Sequence, residues 1–337
     1  MREQDHSRGE RVAKVIARAG LASRREAETW IAAGRVAVNG AVIRSPAINV
    51  TAHDGITVDD KALPRRARTR LFLFHKARGV LTSHGDPRGR PTLFDILPKT
   101  LPRLISVGRL DLNSEGLLLL TNDGGLARVL ELPATGWLRR YRVRAHGRIA
   151  QNELDRLGEG ITIDGIHYGP VEATVDRVQG SNVWLTFAIR EGKNREVRKV
   201  LGHLGLAVNR LIRVSFGPFQ LGDLAPGEIA EVKTRLLRDQ LGARIATLAG
   251  ADFSAPVERI IAPTQNSAQV GQARLASGQG GRAQRGRARA VTANSASEPA
   301  SHNPPPDHRS PYPDGAKRRS GRRRPSPASG GPIRARR

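Results

Sequence analysis

The chain has 337 residues, no cysteine and a formal net charge of +25, because 56 Lys and Arg residues stand against 31 Asp and Glu. The lack of cysteine excludes disulfides, thiolate nucleophiles and cysteine-based zinc sites. A charge this positive favours polyanionic partners, of which nucleic acid is the usual one. No apolar run approaches the roughly 20 residues of a membrane-spanning helix, and the polar first ten residues lack the apolar stretch of a secretory signal. We therefore expect a soluble, cytoplasmic protein that binds nucleic acid, without a bound metal and without a membrane.

Residues 10–63 have the pattern of a small α+β module. Val12 and Ile16 belong to an apolar stripe with helical spacing, and Gly20 stands where a helix C-terminal cap belongs. The sequence S-x-x-E at positions 23–26 has the form of a capping box, which satisfies two backbone donors at the start of a helix. The module therefore begins with two short helices.

A hairpin is predicted after the second helix, which we expect to end at Gly34. Val36 and Val38 alternate with small residues, and Asn39-Gly40 is a favoured two-residue turn between antiparallel strands. The basic side chains left for the surface of the module are Lys14, Arg18, Arg24, Arg25 and Arg35.

This arrangement resembles the S4 RNA-binding domain, above all in residues 24–28 and 34–40. The resemblance implies that the five basic residues contact RNA phosphates and fix the position of the module on folded RNA, whose shape supplies much of the specificity. The alternative is a helix and hairpin core whose arginines are only solvated.

Residues 71–250 are predicted to form a second α+β domain, joined to the first by the basic linker 64–70. Tyr141, Val143 and Ala145 alternate with arginines, which indicates a strand with one buried face. We expect a mixed, largely antiparallel sheet. Its other predicted elements are strands at 71–74, 183–189 and 207–216 and helices at 197–204 and 231–248.

The most informative segment is Gly108–Gly124, where a polar loop that holds Asp111 runs directly into the apolar stretch Leu117–Leu120. A loop anchored by a buried strand can hold a reactive group firmly and still leave it open to a substrate. A single Asp in a loop is more often a turn or capping residue, so the interpretation depends on the whole segment.

The segment closely resembles the signature of the RsuA-type pseudouridine synthases, which modify ribosomal RNA. Residues 72–81 and 90–95 resemble the start of that family's catalytic domain, although His75-Lys76-Ala77 replaces its usual Asn-Lys-Pro. Residues 191–199 resemble its third signature, and the sequence of residues 194–198 is more like that of the large-subunit synthase B type than that of the small-subunit enzyme.

The resemblance implies roles for individual residues. Asp111 would be the catalytic carboxylate, Tyr141 would stack on the extruded uracil, and Arg198 would pair with the carboxylate and keep it ionised. Further RNA contacts carried over from the family pattern are Lys76, Arg109, Arg195 and Lys199. The alternative for Tyr141 is a core tyrosine on an alternating strand, and the alternative for Arg195 and Lys199 is a solvated basic face.

The expected function is the isomerisation of uridine in ribosomal RNA by a monomer that needs no cofactor, with ribosomal RNA or a ribosomal subunit precursor as its partner. Whether Asp111 attacks C1′ or removes a ribose proton is left open by the sequence. Two alternatives remain: a non-catalytic S4-type RNA-binding protein in ribosome assembly or rescue, and a synthase for another RNA.

Composition changes near residue 251. Residues 251–337 contain 16 basic and five acidic residues, with clusters of basic residues at 317–319 and 322–324, and few periodic apolar positions. Such a segment buries too little apolar surface to offset the entropy of ordering. We expect a disordered Arg-rich tail that either contacts phosphates or only aids solubility.

Overall fold

The structure is a computed structural model that describes residues 9–257. The predicted Arg-rich tail therefore lies outside the described residues from position 258 onward. Within residues 9–257, none of the helices is both long enough and apolar enough to cross a lipid bilayer.

The N-terminal module is the predicted pair of helices with a small sheet. Its elements are β1 Glu10–Arg11, α1 Val12–Arg18, α2 Arg24–Ala32, β2 Val36–Val38, β3 Ala41–Ile43, β4 Asn49–Val50, β5 Ile56–Val58 and β6 Lys61–Ala62. Four strands form an antiparallel sheet in the order β3-β2-β5-β6, and β1 pairs with β4. Val12, Ile16 and Ile31 pack with the strand valines into a core of its own.

Two local predictions for this module are confirmed. The Ser23 side chain accepts a hydrogen bond from the Glu26 N–H, and the Glu26 carboxylate accepts one from the Ser23 N–H, so α2 begins with a capping box. Asn39 and Gly40 both have positive φ angles between Val38 and Ala41, which are register partners. Both the capping box and the Asn-Gly turn are short motifs whose residue types favour one local backbone geometry, which is why the sequence predicted them.

The larger part of the structure is a nine-stranded mixed sheet with helices, which confirms the predicted α+β class. Its strands are β7 Leu71–Lys76, β8 Ile105–Ser106, β9 Glu115–Thr121, β10 Arg139–His146, β13 Val171–Gln179, β14 Asn182–Ile189, β15 Ala207–Phe216, β16 Phe219–Gln220 and β17 Ile229–Glu231, and β11 Ile161–Ile163 pairs with β12 Ile166–Tyr168 outside the sheet. The helices are α3 Leu93–Ile96, α4 Gly124–Glu131, α5 Gln151–Asp155, α6 Glu196–His203 and α7 Thr234–Ala249, with 3₁₀ turns at Pro133–Thr135 and Arg156–Glu159.

The main path of this sheet runs β13-β14-β10-β15-β9-β7-β17, and all of its pairs are antiparallel except β15 with β9. The continuous run Leu117–Leu120 in β9 is explained by burial on both faces of the sheet. Leu118 and Leu120 pack into one apolar cluster, whereas Leu117 and Leu119 pack into the other.

Gly116 permits the close parallel approach of β9 to β15. Its φ is +102°, and a Cβ atom there would lie 2.3 Å from the carbonyl oxygen of Arg213. A side chain would therefore meet backbone atoms that cannot move aside. This contact fixes the strand that follows the Asp111 loop against the strand that carries Arg213.

Two boundaries differ from the prediction. The last helix begins at Thr234 rather than at 231, because Glu231 is still paired with Phe72 as the end of β17. Residues 251–257, predicted as tail, are packed: Phe253 joins an apolar cluster, and the Thr69 N–H donates to the Asp252 carbonyl. The linker 64–70 is anchored by the same contacts and by the Arg66–Asp123 ion pair.

Candidate active site

A cleft of about 680 Å³ lies beside the loop between β8 and β9. Its lining includes both Asp111 and Tyr141, which the sequence placed together by resemblance alone. Asp111 is partly exposed, and Tyr141 is 8% exposed. A reachable carboxylate and a nearly buried aromatic ring therefore share one cavity that could hold a planar base.

The loop that carries Asp111 is held through its backbone. All five carbonyl groups from Leu110 to Ser114 accept a hydrogen bond from another part of the protein. The donors are Thr82 Oγ1 to Leu110, Lys76 Nζ and the Ser114 N–H to Asp111, the Gly79 N–H to Leu112, Arg198 Nη2 to Asn113, and Lys76 Nζ to Ser114. The carboxylate is thus presented from a rigid main chain while its own oxygens stay available.

Lys76 does not fit its predicted role as an RNA contact. It is fully buried at the end of β7, and its Nζ lies 3.1 Å from the Asp111 carbonyl oxygen and 2.9 Å from that of Ser114. Burial lowers the pKa of Lys76 to about 8, although the carboxylates of Asp111 and Glu115 oppose that change. A phosphate cannot reach this buried amine, which instead holds the Asp111 loop by hydrogen bonds to its backbone carbonyls.

Arg198 is also placed differently from the expected carboxylate partner. Its guanidinium donates to the carbonyls of Asn113, at 3.1 Å, and Val208, at 2.9 Å. Burial lowers its pKa and so does the neighbouring Arg195, while Asp111 opposes the change. Asp111 instead forms an ion pair with Arg195, at 3.8 Å between Nη1 and Oδ2. Arg198 therefore positions the loop, and Arg195 forms the ion pair with the carboxylate.

Tyr141 lies on β10, which runs between β14 and β15 behind the cleft. Tyr141 in β10 is the register partner of Phe187 in β14 and of Arg213 in β15. Leu211 on β15 also lines the cleft and is 5% exposed. Arg109 also lines it and is exposed, whereas Lys199 is exposed on α6 and outside the lining.

Three buried charged residues at the back of the cleft were missed from the sequence. Arg139 and Arg213 both lie over the Phe216 ring, at 4.6 and 5.1 Å from its centroid, and Glu196 is 3% exposed. Glu196 Oε1 and Arg213 Nη2 have no hydrogen-bond partner among the described residues. Strand alternation marks both arginines as inward-facing, but a sequence alone gives no reason to bury a charge.

Glu196 gives the cleft a titrating group near neutral pH. Its Oε2 accepts a hydrogen bond from the Lys193 N–H at 2.8 Å. Burial raises the pKa of Glu196 from 4.5 to about 7, although that hydrogen bond lowers it. Burial therefore brings the pKa of this carboxyl group close to neutral pH, within electrostatic range of the buried Arg139 guanidinium.

We predict that Glu196→Gln flattens the dependence of stability on pH. The folded state binds this proton more tightly than the unfolded state, so its contribution to stability is full below about pH 4.5 and is lost as the pH rises through about 7. A rise from 4.5 to about 7 corresponds to about 3 kcal/mol. Urea unfolding of both proteins at pH 5 and pH 8 measures this. An equal fall in both proteins would contradict it.

In the N-terminal module, the side chains predicted to contact RNA lie on the surface. Three of them form ion pairs with acidic residues of the module. Lys14 and Arg18 both bind the Glu10 carboxylate, and the Arg18 hydrogen bond does most to lower the pKa of Glu10 to about 2. Arg35 pairs with Asp59 and lies over Trp30. The exposed Arg24 and Arg25 begin α2.

Comparison with known proteins agrees with this architecture. Residues 10–56 match the S4 domain family, and residues 70–203 match the RNA pseudouridylate synthase family. A protein of Rickettsia prowazekii, named an uncharacterized RNA pseudouridine synthase, is 44% identical over 234 residues, which cover 68% of this chain and 97% of that protein. The chain therefore belongs to the RNA pseudouridine synthase family, and it carries an S4 domain.

More specific names occur among its relatives. The ribosomal large subunit pseudouridine synthase B of Pseudomonas aeruginosa is 40% identical over 255 residues, covering 72% of this chain and 65% of that protein. The expected likeness to the large-subunit synthase B type is thus confirmed. A crystal structure of a pseudouridylate synthase is 27% identical and covers 71% of this chain and 99% of that one, at a TM-score of 0.47. Apart from the packing of residues 251–257 described above, the predicted domain boundaries are not tested by the matched ranges and stay a prediction.

Proposed function

We propose that this enzyme isomerises one or a few uridines of large-subunit ribosomal RNA, with Asp111 as the catalytic carboxylate. The observation that carries the proposal is the cleft in which the Asp111 carboxylate and the Tyr141 ring occur together. The names of the relatives from Pseudomonas aeruginosa and other bacteria supply the choice of RNA.

The reaction breaks the bond from N1 of uracil to C1′ of the ribose and forms a bond from C5 to C1′. The C5 proton is lost and N1 gains one, so the product is an isomer and no oxidant or reductant is consumed. Asp111 either attacks C1′ or removes a ribose proton, and in both routes it must be ionised and correctly placed. The hydrogen bonds to the loop carbonyls meet the second requirement.

A uridine within RNA must leave its stack to enter the cleft, at a cost of a few kcal/mol. Stacking on Tyr141 recovers roughly 1–3 kcal/mol of that cost. The exposed side chains of Arg109 and Arg195, at the edge of the cleft, are suited to the phosphates on either side of the target.

The test is to map pseudouridines in ribosomal RNA from cells with the gene intact, deleted, or carrying Asp111→Asn, by carbodiimide-blocked primer extension. We expect the same one or few large-subunit uridines to lose modification in both altered strains. A strain with Asp155→Asn, which changes an exposed carboxylate on α5, is the matched control and should keep them. Retained modification in the Asp111→Asn strain would remove Asp111 from the mechanism, and lost sites in another RNA would change the substrate.

A further inference from the structure

A row of basic and aromatic side chains crosses four neighbouring strands of the large sheet. In the register of these strands, Arg177 lies opposite Trp184, Trp184 opposite Arg144, and Arg144 opposite Arg210. Because strands are about 4.8 Å apart, the row is about 14 Å long. Arg142, two residues before Arg144 on β10, joins it through Trp184. We call these five residues the Arg–Trp row.

The row lies on the face of the sheet opposite the catalytic cleft. Successive side chains of a strand point to opposite faces, and in β10 Tyr141 and Val143 are buried whereas Arg142 is exposed. In β14, Val183 and Leu185 belong to the core on the inner side, which leaves Trp184 on the outer side. The row is therefore separate from the cleft that Tyr141 lines.

Most of the positive charge in the row is uncompensated. Within residues 9–257, only Arg210 of its four arginines forms an ion pair, with Glu115 at 2.9 Å. The nearby Asp176 accepts a hydrogen bond from the Thr186 hydroxyl at 3.0 Å and has no ion pair with the row. Like charges on adjacent strands are destabilising, so a row of this kind is most stable when an anion covers it.

Two arginines of the row, Arg142 and Arg177, stack on Trp184 in an arrangement that suits phosphate binding. The guanidinium carbon of Arg142 lies 4.8 Å from the Trp184 ring centroid, and that of Arg177 lies 5.8 Å from it. Stacking restricts the side chains before any ligand arrives, and it leaves their N–H edges free to donate. Planar guanidinium groups bind phosphate oxygens in pairs, without reading the base sequence.

We propose that the Arg–Trp row is a second RNA-binding surface, which holds the phosphate backbone of an RNA segment other than the one whose uridine enters the cleft. The proposal rests on the proposed function only in taking large-subunit ribosomal RNA as the RNA. Binding on both faces of the sheet requires a folded RNA, because a short hairpin that fills the cleft does not extend around to the row.

The test compares the full-length protein with a triple variant, Arg142→Gln, Arg144→Gln and Arg177→Gln, on two RNAs. One RNA is a transcript of the large-subunit domain that contains the mapped uridine, and the other is a short hairpin around that uridine. Three lost phosphate contacts should reduce the slope of log Kd against log salt concentration by about 2 to 3 on the transcript. We expect affinity for the transcript to fall at least tenfold, while hairpin affinity and the single-turnover rate at saturating enzyme change less than twofold.

The matched control is Arg128→Gln, Arg156→Gln and Arg235→Gln, which removes the same charge from exposed positions outside the row. An equal loss with this control, or unchanged transcript affinity in the row variant, would overturn the proposal. The single substitution Trp184→Leu keeps the charge and weakens the stacking, so it should reproduce part of the loss if the triple variant folds poorly. Because binding is measured without turnover, failure of the Asp111 assignment would leave this result interpretable.

Discussion

Replacing Asp111 with Asn is expected to lower the single-turnover rate of pseudouridine formation by at least about 10³-fold, because an amide can neither attack C1′ nor accept a ribose proton. RNA affinity should change little. The Asp111–Arg195 ion pair joins side chains that are 32% and 50% exposed, and such pairs contribute no more than about 1 kcal/mol. The measurement uses saturating enzyme and an RNA with the mapped uridine, with release of the C5 hydrogen as the readout.

The comparison protein for this experiment is Asp155→Asn, which makes the same chemical change at an exposed position and should keep the wild-type rate. The unfolding midpoint of Asp111→Asn should match that of the wild type. A variant that folds and binds RNA normally but keeps more than a tenth of the rate would refute the catalytic assignment.

Lys76→Met is expected to lower both the stability of the protein and its catalytic rate. The buried ammonium donates to the carbonyls of Ala77, Asp111 and Ser114, and a thioether leaves these acceptors without that donor. The Asp111 carbonyl keeps its hydrogen bond from the Ser114 N–H, so two carbonyls are left unsatisfied. At about 1–3 kcal/mol for each unsatisfied buried group, the expected loss of stability is at least about 2 kcal/mol. Displacement of the Asp111 loop should also lower the catalytic rate about 100-fold.

Denaturant unfolding and single-turnover kinetics separate these effects. Lys61→Met, at an exposed lysine of the N-terminal module, is the matched control and should change neither quantity. Thr82→Val removes only the hydroxyl that donates to the Leu110 carbonyl, so a smaller fall in rate is expected without global unfolding. If Lys76→Met were as stable and active as wild type, the support of the loop by Lys76 would be wrong.

Local signals predicted much of the fold. The capping box at Ser23 and the turn at Asn39-Gly40 are confirmed, because each depends on interactions between residues close in sequence. The strand 207–216 is confirmed as well, although its main partner strands are far away in the chain, because its own alternation of buried and exposed residues marked it. The end of β17 at Glu231 was missed because its hydrogen bonds go to Phe72, far away in the chain. The packing of residues 251–257 was missed for the same reason.

The candidate site was predictable only in part. The family resemblance predicted that Asp111 and Tyr141 share a site, and both line the same cleft. Hydrophobic periodicity alone could not have predicted this. The resemblance could not give the placement of Lys76 and Arg198, because a basic residue looks the same in sequence whether it faces RNA or supports a loop. Glu196 was absent from the predicted site, since the burial that raises its pKa arises only from tertiary packing.

The carbonyl contacts that hold the Asp111 loop have an evolutionary consequence. Main-chain oxygens are present whatever the side chain, so the grip on the loop does not depend on which residues occupy positions 109, 112 and 113. Those positions can be exchanged, and the enzyme retargeted to a different RNA neighbourhood, while the reactive carboxylate keeps its place. Evolution or a protein engineer can therefore alter selectivity at this loop without rebuilding the chemistry.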